Sequence, residues 1–169
     1  MICAANSLVA EPPAVDASPI ILLAKAGLLS LLKQAGDAVV VPRAVAQEVA
    51  RRGRDDVAVQ SLRATQWLTI IRTPSIPREI RQWRLHRGES AVLAWARSRP
   101  GCEAILDDLT ARRCAEALRI PGRGTPGLVL TATRRGAVPL ARPLVDQLLE
   151  AGLYLSRNTI DQALVLVGE

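Results

Sequence analysis

The 169-residue chain contains no phenylalanine, and Trp67, Trp83, Trp95 and Tyr154 are its only aromatic residues. A core must therefore be built from Leu, Val, Ile and Ala. A single-strand binder that stacks bases on a row of aromatic platforms is disfavoured. Lysine is almost missing as well, so that all but Lys25 and Lys33 of the 22 cationic residues are Arg. His86 is the only histidine. A Ser–His–Asp hydrolase would need it, yet no GxSxG elbow accompanies it, and a partly exposed histidine between basic residues is the plainer reading. The three cysteines, Cys3, Cys102 and Cys114, are odd in number and show no CxxC spacing. That argues against a disulfide framework or a zinc site and fits a reducing compartment. The absence of a GxxxxGK[ST] loop excludes a P-loop nucleotide hydrolase. The chain begins without the basic stretch of a secretory signal. Its longest apolar run, Pro19 to Leu32, is broken by Lys25 and is too short to span a bilayer. A cytoplasmic protein with no membrane segment is expected.

Hydrophobic residues make up 49% of the chain and charged residues 22%, which is ordinary globular usage and excludes a disordered tail. The length is that of one domain, able to bury about 70% of its unfolded surface. Sixteen acidic residues against the 22 basic ones leave a net charge of +6. Arg-rich surfaces suit phosphate partners, because the guanidinium fork meets phosphate oxygens in pairs. A coding bias toward Arg and Ala would produce the same excess.

Short β-type runs alternate with helical segments. Ser18 before Pro19 reads as an N-cap and opens a helix to Leu32. Ala38 to Val41 is a strand closed by Pro42, and Arg43 to Arg52 a helix. Trp67 to Ile71 is a second strand, followed by a loop from Thr73 to Pro77. Gly88 to Arg97 is helical. Ala104 to Leu106 is a short strand that ends at Asp107 and Asp108, and Thr110 to Leu118 is a helix. Helices over Thr125 to Arg134, Arg142 to Ala151 and Arg157 to Val167 complete the chain, the last capped by Ser156. This alternation argues a three-layer α/β fold with a parallel sheet. Gly122 to Gly127 fits GxGxxG, but it lacks a firm strand before it and an acid ending another strand, so a turn capped by Thr125 is the simpler account. A phosphoacceptor receiver domain would want its acid pair early and a lysine late, and the chain has neither. The tryptophans read as core or interface residues.

The carboxylates at element ends carry the chemistry. Asp16 follows the first β-type run, and Asp107 and Asp108 follow the Ala104–Leu106 strand. In an open parallel sheet, ligands bind outside the carboxyl ends of strands. Glu48 lies mid-helix, and Glu89 lies in the first turn of its helix, where both can face the same edge. Clustered carboxylates repel one another unless a cation joins them, and oxygen ligands favour Mg²⁺ or Mn²⁺. Each acid has a plainer role too. Asp16, Asp107 and Asp108 precede helices and could cap them, Glu89 suits the helix dipole, and Glu48 could lie on a solvated face.

Four stretches in order resemble the motifs of PIN-domain proteins: Asp16-Ala17-Ser18-Pro19-Ile20-Ile21, Val41-Pro42-Arg43-Ala44-Val45 with Glu48, Gly88-Glu89-Ser90-Ala91-Val92, and Ile105-Leu106-Asp107-Asp108 with Ala111-Arg112-Arg113. Gly124-Thr125, Arg135-Gly136 and Gly152 to Ser156 resemble one branch of small prokaryotic members. The similarity runs over residues 14 to 169, which are expected to form one domain after an irregular arm over residues 1 to 13. It implies a three-layer fold with a central parallel sheet of four to five short strands. It also implies Mg²⁺- or Mn²⁺-dependent cleavage of single-stranded RNA by activated water, and many relatives are dimeric toxins held by a cognate antitoxin. By position, Asp16, Glu48, Glu89 and one of Asp107 and Asp108 would be both the catalytic and the metal-binding residues. Ser18 would support Asp16, and Arg112 and Arg113 would contact phosphate.

The sequence departs from the family pattern in three places. Two adjacent aspartates occupy the fourth motif, Glu89 stands where Asp is common, and Pro12 and Pro13 lie where the first strand should run. Proline donates no ladder hydrogen bond, so that strand must be short or begin after Pro13. The rival reading is a PIN-like binding module, for nucleic acid or protein, with a degenerate metal site.

Overall fold

The structure, a computed structural model, describes residues 11–169. Most of the expected N-terminal arm, together with Cys3, lies outside the described residues, while residues 11–13 have no regular secondary structure. The fold is α/β, with a five-stranded, all-parallel sheet flanked by helices. Its strands are β1 (Ala14–Val15), β2 (Val39–Pro42), β3 (Leu68–Ile71), β4 (Ala104–Ile105) and β5 (Gly122–Arg123), in the order β3-β2-β1-β4-β5. β1 starts directly after Pro13, as the two prolines require. They contribute carbonyls instead of N–H groups. Pro13 accepts from the backbone N–H of Val40 (2.8 Å), and Pro12 accepts from the Trp95 indole (3.3 Å).

The three central strands β1, β2 and β4 are buried along their length, whereas the edge strand β3 leaves Thr69 and Ile70 exposed. Ala14, Val15, Val39, Val41, Ala104 and Ile105 have no exposed surface. Ala14 pairs with both Val40 and Ala104, so β1 is the centre of the sheet. The first helix, α1 (Ala17–Lys25), is shorter than expected. Gly27 adopts φ +69°, a left-handed turn that ends it, and the chain resumes as a 3₁₀ segment over Leu29–Gln34. Asp16, not Ser18, occupies the N-cap position, which puts Ser18 and Pro19 inside the first turn. Helices α2 (Arg43–Ala50) and α3 (Val57–Ala64) lead to β3. α3 is an addition to the elements expected from the sequence; Asp56 caps it by accepting from the Ala58 N–H at 2.9 Å.

After β3 come the short α4 (Arg78–Arg81) and then α5 (Arg87–Arg97). The latter lies against β1, β2 and β4, and every residue from Gly88 to Ala94 is buried. α6 (Leu109–Ala117) joins β4 to β5, and α7 (Thr125–Arg134), α8 (Arg142–Ala151) and α9 (Arg157–Val165) complete the chain. The expected turn before α7 is strand β5, and Gly124 rather than Thr125 is the cap of α7. α1 packs against α3 and α8, and α7 against the 3₁₀ segment, whereas α5 packs against α2 and α6. Cys102 and Cys114 are free and buried, and Trp67, Trp83 and Trp95 pack on the core. Among the described residues, no helix is long and apolar enough to cross a membrane.

Leu93 is fully buried in the helix that covers the three central strands. Leu93→Ala should therefore cost about 2–5 kcal/mol, read as a lowered urea midpoint with an unchanged slope. A loss below about 1 kcal/mol would contradict this placement of α5.

Candidate active site

The reversal of strand order puts the carboxyl ends of β1 and β4 side by side. Asp16 leaves β1 and Asp107 leaves β4, so the two acids are neighbours across a topological switch point. The backbone N–H of Asp16 donates to the Ile105 carbonyl (3.1 Å), extending the ladder one residue past the strand. Asp16, Glu48, Glu89, Asp107 and Asp108 all line one cavity of about 390 Å³, together with Ser18, His86 and the Gly152–Tyr154 turn.

Each acid is positioned differently. Asp16 is 6% exposed, and its Oδ1 is buried with no hydrogen-bond partner, the one such side-chain atom among the described residues. Burial pushes its carboxyl from 3.8 up to about 7, the Ala17 N–H opposes the rise, and the charges of Glu48, Glu89 and Asp107 add to it. Glu89 is buried at the third position of α5, and its Oε2 accepts from the His86 backbone N–H (3.0 Å). Its carboxyl is also raised, first by burial, against that hydrogen bond, and then by Asp108 and Glu48. Asp107 accepts twice from the first residue of α7, from the Thr125 N–H at Oδ1 and the Thr125 hydroxyl at Oδ2, each at 2.7 Å. Burial raises its carboxyl, whereas both Thr125 bonds and the Arg112 charge hold it down. Asp108 is exposed and caps α6, its Oδ1 accepting from the Ala111 N–H at 2.8 Å. Glu48 is exposed on α2 and reaches in over Gly88.

Gly88 makes this approach possible. A β-carbon there would stand 2.7 Å from Asp16 Oδ1, 3.1 Å from Glu48 Oε2 and 3.2 Å from a Val45 methyl. The first turn of α5 thus lies directly against two acids, and any side chain would push them away. The five carboxylates line the cavity without converging on one point. Among the described residues, no group of three or more His, Cys, Asp or Glu side chains is close enough to hold an ion as it stands.

The structure brings every expected acid, and Ser18, to the cavity. Arg112 and Arg113 lie elsewhere, along a separate groove with Leu109 and Glu116. Ala111, Cys114 and Ala115 face the core, which turns the two arginines outward. Four further residues belong to the site without a sequence signal for that role. Gly88 stands out in the sequence only as part of a motif, and Thr125 reads as a cap. His86 reads as a surface residue, and it is exposed, but at the cavity's edge. Tyr154 is 93% exposed and lines the same cavity.

A carboxyl raised to about 7 in the folded chain binds a proton that the unfolded chain has lost. Stability should therefore fall as pH rises from about 4 to about 7, by up to about 4 kcal/mol from Asp16 alone. Asp16→Asn should raise the melting temperature above pH 7 and flatten that slope in thermal melts. Gly88→Ala should do the reverse, losing about 1–3 kcal/mol by displacing both carboxylates. A destabilised Asp16→Asn at pH 8 would contradict the buried, unpartnered carboxylate.

A family model described as a PIN domain matches residues 13–169. No curated protein and no solved structure matches the chain.

Proposed function

The chain belongs to the PIN-domain family, which is of nuclease type, and from that premise we propose that it is an endoribonuclease cleaving single-stranded RNA with Mg²⁺ or Mn²⁺. The observation that carries this reading is the bare, buried Oδ1 of Asp16, a residue that lines one cavity with four more carboxylates. A buried carboxylate oxygen without a donor is costly unless a cation completes it. The donors are all oxygen, which suits a hard divalent ion.

Asp16, Glu48, Glu89 and Asp107 would hold the ion. When bound, it would lower the pKa of a water and offset charge on the phosphodiester. We favour Asp107 over Asp108 as the ligand because Thr125 fixes both of its oxygens while leaving each a second lone pair, whereas Asp108 is an exposed cap. Ser18, exposed on the cavity wall two residues after Asp16, would support that residue. Glu89 ties the start of α5 to its own carboxylate and so keeps Gly88 close. His86 at the cavity's edge can donate to a phosphate oxygen, and Tyr154 offers its exposed ring to a base. Arg112 is near enough to temper Asp107, a positioning role in place of the expected phosphate contact. The products would carry 5′-phosphate and 3′-hydroxyl ends.

We extend the proposal to a cytoplasmic toxin restrained by a cognate antitoxin and acting as a homodimer; Val165 and Leu166, 72% and 61% exposed where the last helix ends, offer an apolar contact. The rival reading, a binding module with a weakened site, draws on the carboxylates' failure to converge. The two readings separate on cleavage of a mixed single-stranded RNA pool by protein freed of any co-purified antitoxin. Cleavage should need Mn²⁺, stop in excess chelator and fall roughly a hundredfold or more in Asp16→Asn. Cleavage unchanged by chelator, or none by the wild type, would refute the nuclease.

A further inference from the structure

A second cavity, of about 280 Å³, shares the first turn of α5 with the acidic one. His86 and Glu89 line the first, and Arg87 and Ser90 line the second, with Arg81, Arg84 and Thr73 completing its polar wall. Three arginines from one short stretch of chain therefore line one concavity, with Ile76 and Leu85, beside a cluster of carboxylates. Five of the twenty arginines, Arg52, Arg97, Arg99, Arg123 and Arg142, have a carboxylate partner. Arg81, Arg84 and Arg87 have none among the described residues. The nearest acid along the chain outside the acidic cavity, Glu79 on α4, is taken by Arg97 at 2.9 Å.

Like charges gathered without a counter-charge cost free energy unless an anion joins them. Arg84 adds a second cost. It adopts φ +52°, a left-handed conformation uncommon for a residue with a side chain, in the turn that links α4 to α5. The cavity's hydroxyls also suit an anion. Thr73 Oγ1 accepts from the Ala44 N–H (3.0 Å), which leaves its own proton to donate, and Ser90, 7% exposed, lines the same cavity. Planar guanidinium forks and hydroxyl donors are the chemistry of phosphate binding.

We propose that the cavity of Arg81, Arg84, Arg87, Thr73 and Ser90 seats a backbone phosphate of the nucleic-acid strand whose scissile phosphodiester lies at the acidic cavity. This rests on the nuclease reading for the strand's identity. The carboxylates alone repel a polyanion, and the arginine cavity supplies the adjoining attraction that holds the strand across the first turn of α5. It is a binding site for substrate and takes no part in bond cleavage.

The test is anisotropy of a labelled single-stranded oligonucleotide in excess chelator, which separates binding from cleavage. The three arginines are exposed, so Arg84→Gln and the double variant Arg81→Gln/Arg87→Gln should fold, as melts would verify. Each should weaken binding about tenfold and flatten the dependence of log Kd on log salt by about 0.7 for every phosphate charge no longer neutralised. Arg134→Gln, in the last turn of α7 away from the carboxyl ends of the strands, should change neither. Equal weakening by Arg134→Gln, or an unchanged salt slope in the cavity variants, would overturn the proposal. Full displacement by millimolar inorganic phosphate, with affinity independent of oligonucleotide length, would make the cavity a free-anion site and overturn it too. Mn²⁺-induced thermal shifts on the same proteins keep the two claims apart. Variants that lose oligonucleotide affinity but keep the shift support the strand site. A wild type without any shift would count against the metal-dependent nuclease while the arginine result still decided this proposal.

Discussion

The Asp16 carboxylate is held by its backbone and left bare by its neighbours. The ladder bond from its N–H to Ile105 puts it at the end of the central strand, and α1 begins at the next residue. Neither end of that arrangement can move without breaking the sheet or the helix. The side chain is buried with one oxygen unpartnered, beside carboxylates that raise its pKa. Packing elsewhere accommodates this residue at a cost to stability. The fold tolerates it because a closely packed aliphatic core surrounds β1 on both faces.

The remaining acids are arranged around that fixed point by separate local devices. Glu89 is tied to the start of its own helix, Asp107 is clamped to the start of α7, and Glu48 reaches in from α2. Gly88 lets α5 come close enough for two of them to face one spot. Thr125 and Ile105 each fix an acid by a long-range contact, Ile105 from the end of β4 to Asp16 and Thr125 from the start of α7 to Asp107. An acidic cavity of this kind would repel nucleic acid, and the arginines we propose as a strand site would offset that repulsion.

Much of this is legible in the sequence. Alternating periodicity points to a parallel α/β sheet, and strand-end acids point to one cavity. Helices α7 and α8 have the bounds expected of them, because proline near each start and Gly152 after Ala151 are strong local signals. What the sequence hides has physical causes. α3 sits behind the charged run Arg51–Asp56, whose last residue is its cap. β5 is Gly-Arg, with no strand preference of its own, and forms because β4 offers a ladder. Ser18 looks like a cap because the Ser-Pro pair is a good one, but the sheet ends at Asp16 and the helix starts earlier. Nothing in the chain marks a Thr125 hydroxyl that reaches Asp107 across 18 residues, or a glycine whose missing β-carbon makes room for two acids.

We propose that a divalent cation anchored on Asp16 draws these carboxylates together. Titrating Mn²⁺ into the wild type and Asp16→Asn at pH 7.5, with free ion followed by electron paramagnetic resonance, tests it most directly. Saturable binding of one or two ions by the wild type, lost in the variant, is the result this account predicts. No saturable binding, or equal binding by both proteins, would contradict it.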